Sequence, residues 1–179
     1  MKADVKFKYW LTVAKYAGYK LEEYSRPKMV GGKETPETLQ EITMGQLIEL
    51  SELTDSNESL YSICMILLGL NREQVDEARA VDVVRFCGWC ITEVERINKL
   101  FKATHIEPTA EERQAGVDKL QFGLFGMIDS YARRMGIQNH DDVMNVSWIK
   151  IYKCIDMDNK ITQYQRRLNK VYERKMQRK

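Results

Sequence analysis

Cys87-Gly88-Trp89-Cys90 is the one spacing in this chain that invites a reaction. A CxxC pair can depress a thiol pKa and exchange disulfides. In thioredoxin-like proteins the motif follows a strand and opens a helix inside an α/β fold. Here it falls midway along a helical period with no strand signal upstream. A zinc site asks for a second ligand pair at matching spacing, and Cys64, Cys154, His105 and His140 supply none. Burial fits best, because free cysteine among apolar neighbours behaves as a small hydrophobe; metal binding and redox exchange are the alternatives. Asp141-Asp142 and Glu111-Glu112 resemble carboxylate pairs, but adjacent helical residues do not face each other. At helix starts they complement the dipole instead. His105 lies in a loop near Pro108 without an evident Cys, Ser or Asp partner. There is no P-loop, GxGxxG or HExxH. No catalytic, cofactor-binding or metal-ligating residue is assigned, and the chain reads as a non-enzyme.

The elements around these residues are helical in period. Low proline content and runs of Leu, Met, Glu, Lys, Gln and Arg favour helix over sheet. Tyr9, Val13, Tyr16 and Ala17 fit a helix from about Lys6 to Glu22, although Val5, Phe7 and Tyr9 alternating with Lys6 and Lys8 equally fit a short strand. Arg26-Pro27 ends that segment. Residues 27–41, punctuated by Gly31-Gly32 and Pro36, read as an exposed, mobile loop. Thr43 with Gln46 makes a capping-box pattern opening a helix through Leu47, Ile48, Leu50 and Leu53. Asp55 or Ser56 caps a second helix to about Leu70, with Ile63, Ile66, Leu67 and Leu70 on its apolar face. Asn71 caps a short turn over Arg72 to Glu77. The longest regular segment runs from Val81 to Ala103, with Val84, Cys87, Ile91, Val94 and Ile97 in one stripe. Thr109 and Glu112 form another capping box, and that helix breaks near Gly116. Asn139 caps a further piece. Ser147 to about Lys175 reads as one long amphipathic helix, its buried stripe Trp148, Ile151, Tyr152 and Ile155 continuing through Ile161, Tyr164, Leu168, Val171 and Tyr172.

Between these lies Phe122-Gly123-Leu124-Phe125-Gly126-Met127-Ile128-Asp129-Ser130-Tyr131-Ala132, inside a helix expected from about Leu120 to Met135 with Gly136 as its C-cap. Glycine costs about 1 kcal/mol against alanine inside a helix, so two of them imply a compensating gain. Close approach of another backbone to a side-chain-free face is the expected gain. Gly123, Phe125, Gly126, Met127, Trp148 and Tyr152 are accordingly the candidate packing and interaction residues.

The 179 residues, 44% hydrophobic and 30% charged, suit a soluble domain with a core of its own. No apolar run approaches the roughly 18 residues that span a bilayer, and Met1 to Lys8 lacks a signal peptide's apolar core, so residence in the cytoplasm is expected. The net charge of +2 hides an asymmetry: Lys160 to Lys179 carries eight basic residues against Glu173 alone, a net of +7, leaving −5 on the remainder. Arg166, Arg167, Lys170, Arg174 and Lys175 are candidate partner-facing cations. A basic helix with Tyr164 and Tyr172 also admits nucleic acid, through phosphate contacts and stacking, although the tyrosines fit the apolar stripe more simply.

Taken in order, an ITMGQLIEL helix start (Ile42 to Leu50), a central helical pair, GxxxLQFGLFGMIDSYA (Gly116 to Ala132), a helix with Trp148 and Tyr152, and a polar tail with Tyr164-Gln165-Arg166-Arg167-Leu168 form a pattern. This pattern resembles the small tail assembly chaperones of tailed bacteriophages over residues 40–172. The resemblance implies a helical, self-associating protein that coats the tape-measure protein before the tail tube polymerises, with no catalytic residues. Nine methionines, among them Met127, Met135, Met144 and Met157, suit adaptable contact surfaces. The expected fold is all-α: a single compact helical bundle with an extended basic C-terminal helix. Its parts would be an aromatic and basic segment over 1–39, a helical core over 40–158 and a basic helical extension over 159–179. The partner would be a phage tape-measure or tail protein, with homo-oligomers and neither cofactor nor membrane, in the host cytoplasm. A structural virion subunit such as a head–tail connector ring is the first alternative, and a nucleic-acid-binding protein acting through the basic helix the second.

Overall fold

A computed structural model of the protein describes residues 5–14, 25–54, 56–120 and 122–177. Among them are nine α-helices and one two-stranded hairpin, so the protein is mostly α. The chain packs as two units, Met1–Asn98 and Lys99–Lys179. That division falls inside a helix.

The first unit opens with α1 (Phe7–Ala14). Both readings of this segment have a physical basis. Lys6 forms an isolated antiparallel bridge to Arg79, with Phe7 N–H donating to the Ala78 carbonyl at 2.9 Å and Ala80 N–H to the Val5 carbonyl at 2.8 Å; the helix begins one residue later. Tyr16, Ala17 and the expected end near Glu22 lie outside the described residues. Strands β1 (Met29–Val30) and β2 (Lys33–Glu34) pair antiparallel around Gly31-Gly32. Both glycines have positive φ, +53° and +79°, the combination that a two-residue hairpin turn with native twist requires. The segment is exposed over most of its length, as expected, but it holds a hairpin and three buried anchors. Val30, Thr35 and Leu39 are buried. Arg26 Nη1 donates to the Thr35 carbonyl and hydroxyl at 3.0 and 2.8 Å, which ties the base of the hairpin.

Helix α2 (Met44–Glu52) starts at a complete capping box: Gln46 N–H donates to Thr43 Oγ1, and Thr43 N–H to Gln46 Oε1. The same Gln46 amide also donates to the Ile66 carbonyl at 3.2 Å, so the cap joins α2 to the next helix. That helix, α3 (Asn57–Leu68), is capped by Ser56; Asp55 lies outside the described residues. Asn71 and Gln74 form a second capping box over α4 (Arg72–Glu77). The long α5 (Ala80–Ala103) buries Val83, Val84, Phe86, Cys87, Cys90, Val94 and Ile97. Ile91, expected in that stripe, is 39% exposed. Phe7 anchors the opposite end of this core, stacked on Trp10 and meeting Tyr61 edge-on, with ring centroids 5.7 and 5.3 Å apart. Fully burying an aromatic of this kind contributes about 2–3 kcal/mol.

The second unit takes the last turn of α5, then α6 (Ala110–Gln114), a single 3-10 turn (Val117–Lys119), α7 (Gly123–Met135), α8 (His140–Met144) and α9 (Trp148–Met176). Thr109 and Glu112 form the third capping box, at α6. Gly136, at φ +67°, ends α7 in the left-handed conformation expected of a C-cap. Asn139 caps α8 through its side chain. The core gathers Ile128, Tyr131, Ala132, Val143, Trp148 and Ile151. Phe101 lies 6.1 Å from Trp148 and 5.6 Å from Tyr152, the latter pair edge-on.

Candidate interaction surface

The CxxC pair sits where α5 is most enclosed. Cys87 and Cys90 are fully buried, as is Cys64 on α3, whose sulfur is 4.0 Å from that of Cys87. Burial pushes the Cys87 and Cys90 thiols well up from their ordinary range. A reactive thiolate needs the opposite: a positive, partly open environment. Among the described residues no group of three or more His, Cys, Asp or Glu is placed to hold a metal ion. Next to Cys90, a groove of about 380 Å³ opens between α2, α3 and α5, lined by Leu50, Leu60, Ile63, Cys90, Ile91 and Val94. Ser51, Thr54, Ser56, Ser59, Glu95 and Asn98 also line it, and Asn98 Nδ2 donates to Ser51 Oγ at 3.1 Å.

Of the expected packing segment, Ile128, Tyr131 and Ala132 are buried and Gly126 and Met127 half-buried, while Phe122, Gly123 and Phe125 are exposed. The helix begins at Gly123 rather than near Leu120, and Leu120, Phe122, Leu124 and Phe125 are exposed. The two glycines answer to different demands from the one expected. Gly123 has φ +52°, and among the described residues nothing lies within 4 Å of where its Cβ would be. It is glycine for its backbone angle. A Cβ at Gly126 would lie 2.5 Å from the Cβ of Phe122. In a regular helix side chains four apart keep about 5–6 Å between Cβ atoms, so the short approach reflects the turn at Gly123 folding Phe122 across the first turn. Met127 and Gly126 line a shallow groove with Tyr131, Cys154 and Ile155. Phe125 lies 5.3 Å from the His140 ring. His140 Nε2 is 3.1 Å from Asp129, and Arg133 bridges the same carboxylate at 2.9 Å. The His140 hydrogen bond, with the Arg133 charge behind it, holds the Asp129 carboxyl below its usual range. This cluster fastens α7 to α8.

Helix α9 presents two unlike faces. Trp148 is buried and Tyr152 half-buried against Phe101. One turn at a time that face continues to Asn159, whose Nδ2 donates to the Thr104 carbonyl at 2.5 Å. It then reaches Arg166, which donates to the Glu107 carbonyl at 3.0 Å and to both Glu112 oxygens at 2.8 Å. Arg166 is therefore held within the chain, unlike Arg167, Lys170, Arg174 and Lys175, which are exposed. The stripe expected to continue the buried face does not. Ile161, Tyr164, Val171 and Tyr172 are exposed and Leu168 is half-buried. At 3.6 residues per turn, Ile161, Tyr164 and Leu168 project roughly opposite to Trp148, Asn159 and Arg166. The signal was in the spacing: the step from Ile155 to Ile161 breaks the three-and-four rhythm and moves the apolar set round the helix.

No protein-family model, curated protein or solved structure matches the chain. No helix among the described residues is long and apolar enough to cross a membrane.

Proposed function

We propose that this protein is a non-enzymatic morphogenesis factor of a tailed bacteriophage, a tail assembly chaperone that binds the tape-measure protein in the host cytoplasm. On this reading the helices act as a self-associating bundle with an extended basic C-terminal helix. The observation that carries it is the exposed apolar set of the second unit: Leu120, Phe122, Leu124 and Phe125 leading into α7, and Ile161, Tyr164 and Val171 on α9. Large exposed apolar patches mark interaction surfaces on soluble proteins. A helical client with apolar stripes of its own would be shielded by such a surface, and the buried CxxC leaves the first unit to a packing role.

Co-expression with a neighbouring tape-measure candidate, followed by affinity capture and measurement of the client's soluble fraction, tests the proposal. A complex with a gain in client solubility is expected. Neither complex nor gain would remove it. Stoichiometric presence in purified particles would replace it with the connector-ring reading, because a chaperone leaves before the virion is finished.

A further inference from the structure

Met157, Ile161, Tyr164, Leu168 and Val171 follow one another at intervals of four, three, four and three residues along α9. This is the a/d spacing by which α-helices supercoil with a partner. Four of the five are 44–57% exposed, on the side of α9 turned away from Trp148, Asn159 and Arg166. Along one flank of this seam Lys153, Lys160, Arg167 and Arg174 recur at every seventh position, all exposed. The other flank holds Asp158, Gln165 and Tyr172, a single charge. Among the described residues Lys160 is bridged to Asp156 at 2.7 Å, while no ion pair engages Arg167 or Arg174.

We propose that this seam docks an amphipathic helix of another protein whose flanking positions are acidic, forming a two-helix coiled coil in which the basic flank selects the partner. Flanking charges set partner choice and orientation in coiled coils. A second copy of α9 is the poorer occupant. Antiparallel copies would set the basic flank against itself. Parallel copies would set Lys153 opposite Asp158, which Arg134 of its own chain already bridges, and would place Lys160 opposite Gln165 and Arg167 opposite Tyr172, with no ion pair at either. An acidic helix offers a carboxylate to each cation. Nucleic acid would engage the cations but has no use for an aliphatic row between them, since stacking on bases calls for aromatic platforms and only Tyr164 in the seam is one. That the occupant is a tail client rests on the function proposed above; the seam itself does not.

The test uses the full chain and labelled synthetic helices about three heptads long, with Ile and Leu at a and d and either Glu or Lys at both flanks. Binding is read by fluorescence anisotropy at low and physiological salt. The acidic peptide should bind at least about tenfold tighter than the basic one, with a preference that weakens as salt rises. Ile161→Asn with Leu168→Asn should weaken acidic-peptide binding at least about tenfold, with an unchanged far-UV circular dichroism spectrum as the check that α9 stays helical. Arg167→Glu should shrink the preference, and Arg167→Lys should restore it. Equal binding of the two peptides, or binding indifferent to the Asn variant, would overturn the proposal. So would a free chain that sediments as a dimer and loses it in that variant, or a duplex oligonucleotide that competes equally and survives the variant. No tape-measure protein enters this experiment. Peptide binding without client capture removes the client and keeps the seam; the reverse result removes the seam and keeps the client.

Discussion

Replacing Gly126 by alanine sets two effects of known size against each other. In the body of a helix the change gains about 1 kcal/mol. Here the new methyl would arrive 2.5 Å from the Cβ of Phe122, a separation real Cβ atoms essentially never show. The obstruction is at the root of the Phe122 side chain, so no rotamer change relieves it; the first turn of α7 must shift or unwind. Unwinding forfeits the hydrogen bond from Gly126 N–H to the Phe122 carbonyl, 3.1 Å long, at a net cost of about 1 kcal/mol. Forced overpacking typically costs about 1–3 kcal/mol. Gly126→Ala should therefore destabilise α7 by about 1 kcal/mol once the propensity gain is subtracted. In a Phe122→Gly background the obstructing atom is gone, and the same substitution should stabilise by about 1 kcal/mol. The coupling of about 2 kcal/mol lies within the range measured for residues in direct contact. Native-state hydrogen exchange at the amides of Ile128 to Ala132 reads the opening of this helix directly, without assuming that both units unfold together. Equal gains in protection in both backgrounds would refute the contact. They would return the glycine pair to the role of admitting another backbone.

The buried thiols and the acid-side stability give two further tests. In the folded chain only Cys154, the one half-buried cysteine, should react quickly with a thiol reagent at mildly alkaline pH. The other three should appear only in denaturant; joint loss of Cys87 and Cys90 to an intramolecular disulfide under mild oxidation would restore the redox reading. Glu77 receives ion pairs from Lys6 and Lys8, which hold its carboxyl down at about 2 against an ordinary 4.5. A depressed carboxylate contributes stability that is present above the unfolded value and is lost as pH falls through the folded one. The attachment of α1 to α4 should therefore weaken between about pH 4.5 and about pH 2. Glu77→Gln should remove that acid-side slope in urea unfolding midpoints, and parallel wild-type and variant profiles would count against the pairing.

Three helix starts were legible because their causes are local, whereas α7, which has no side-chain cap, starts later than its spacing predicts. Thr43–Gln46, Asn71–Gln74 and Thr109–Glu112 each satisfy one another's backbone and side chain within four residues, so the sequence contains the whole interaction. The left-handed stop at Gly136 is local in the same way. What the sequence did not disclose depends on distant partners. Residues 27–41 have the composition of a mobile loop, yet the Thr35 hydroxyl accepts from Arg26 and the hairpin tip is tight: a Cβ at Gly31 would meet Leu70 at 3.2 Å. Nothing near Val30 or Leu39 announces their burial. The division between Asn98 and Lys99 is hidden because α5 keeps its hydrogen-bonded period straight through it. Gly123 was misread for a subtler reason. A glycine needed for positive φ and one needed for a close approach look alike in sequence, and only the backbone angle separates them.

The two faces of α9 bear on how an apolar helix surface can be selective. An apolar surface alone binds without much discrimination, because hydrophobic attraction has no direction. Discrimination needs charges placed at fixed positions beside it, attractive to one partner and repulsive to others. The fold supplies this by committing the opposite face of the same helix to the interior. Asn159 and Arg166 bond to the 104–112 segment, which fixes the rotation of α9 about its axis and so fixes where Arg167 and Arg174 point. Two neighbouring arginines, Arg166 and Arg167, thus have separate tasks despite identical chemistry. One spends its charge on Glu112 and sets the orientation; the other is left free at the flank of the seam. A net-charge count of the tail treats the two as equivalent, and it is the side-chain partner of Arg166 that separates anchoring from recognition.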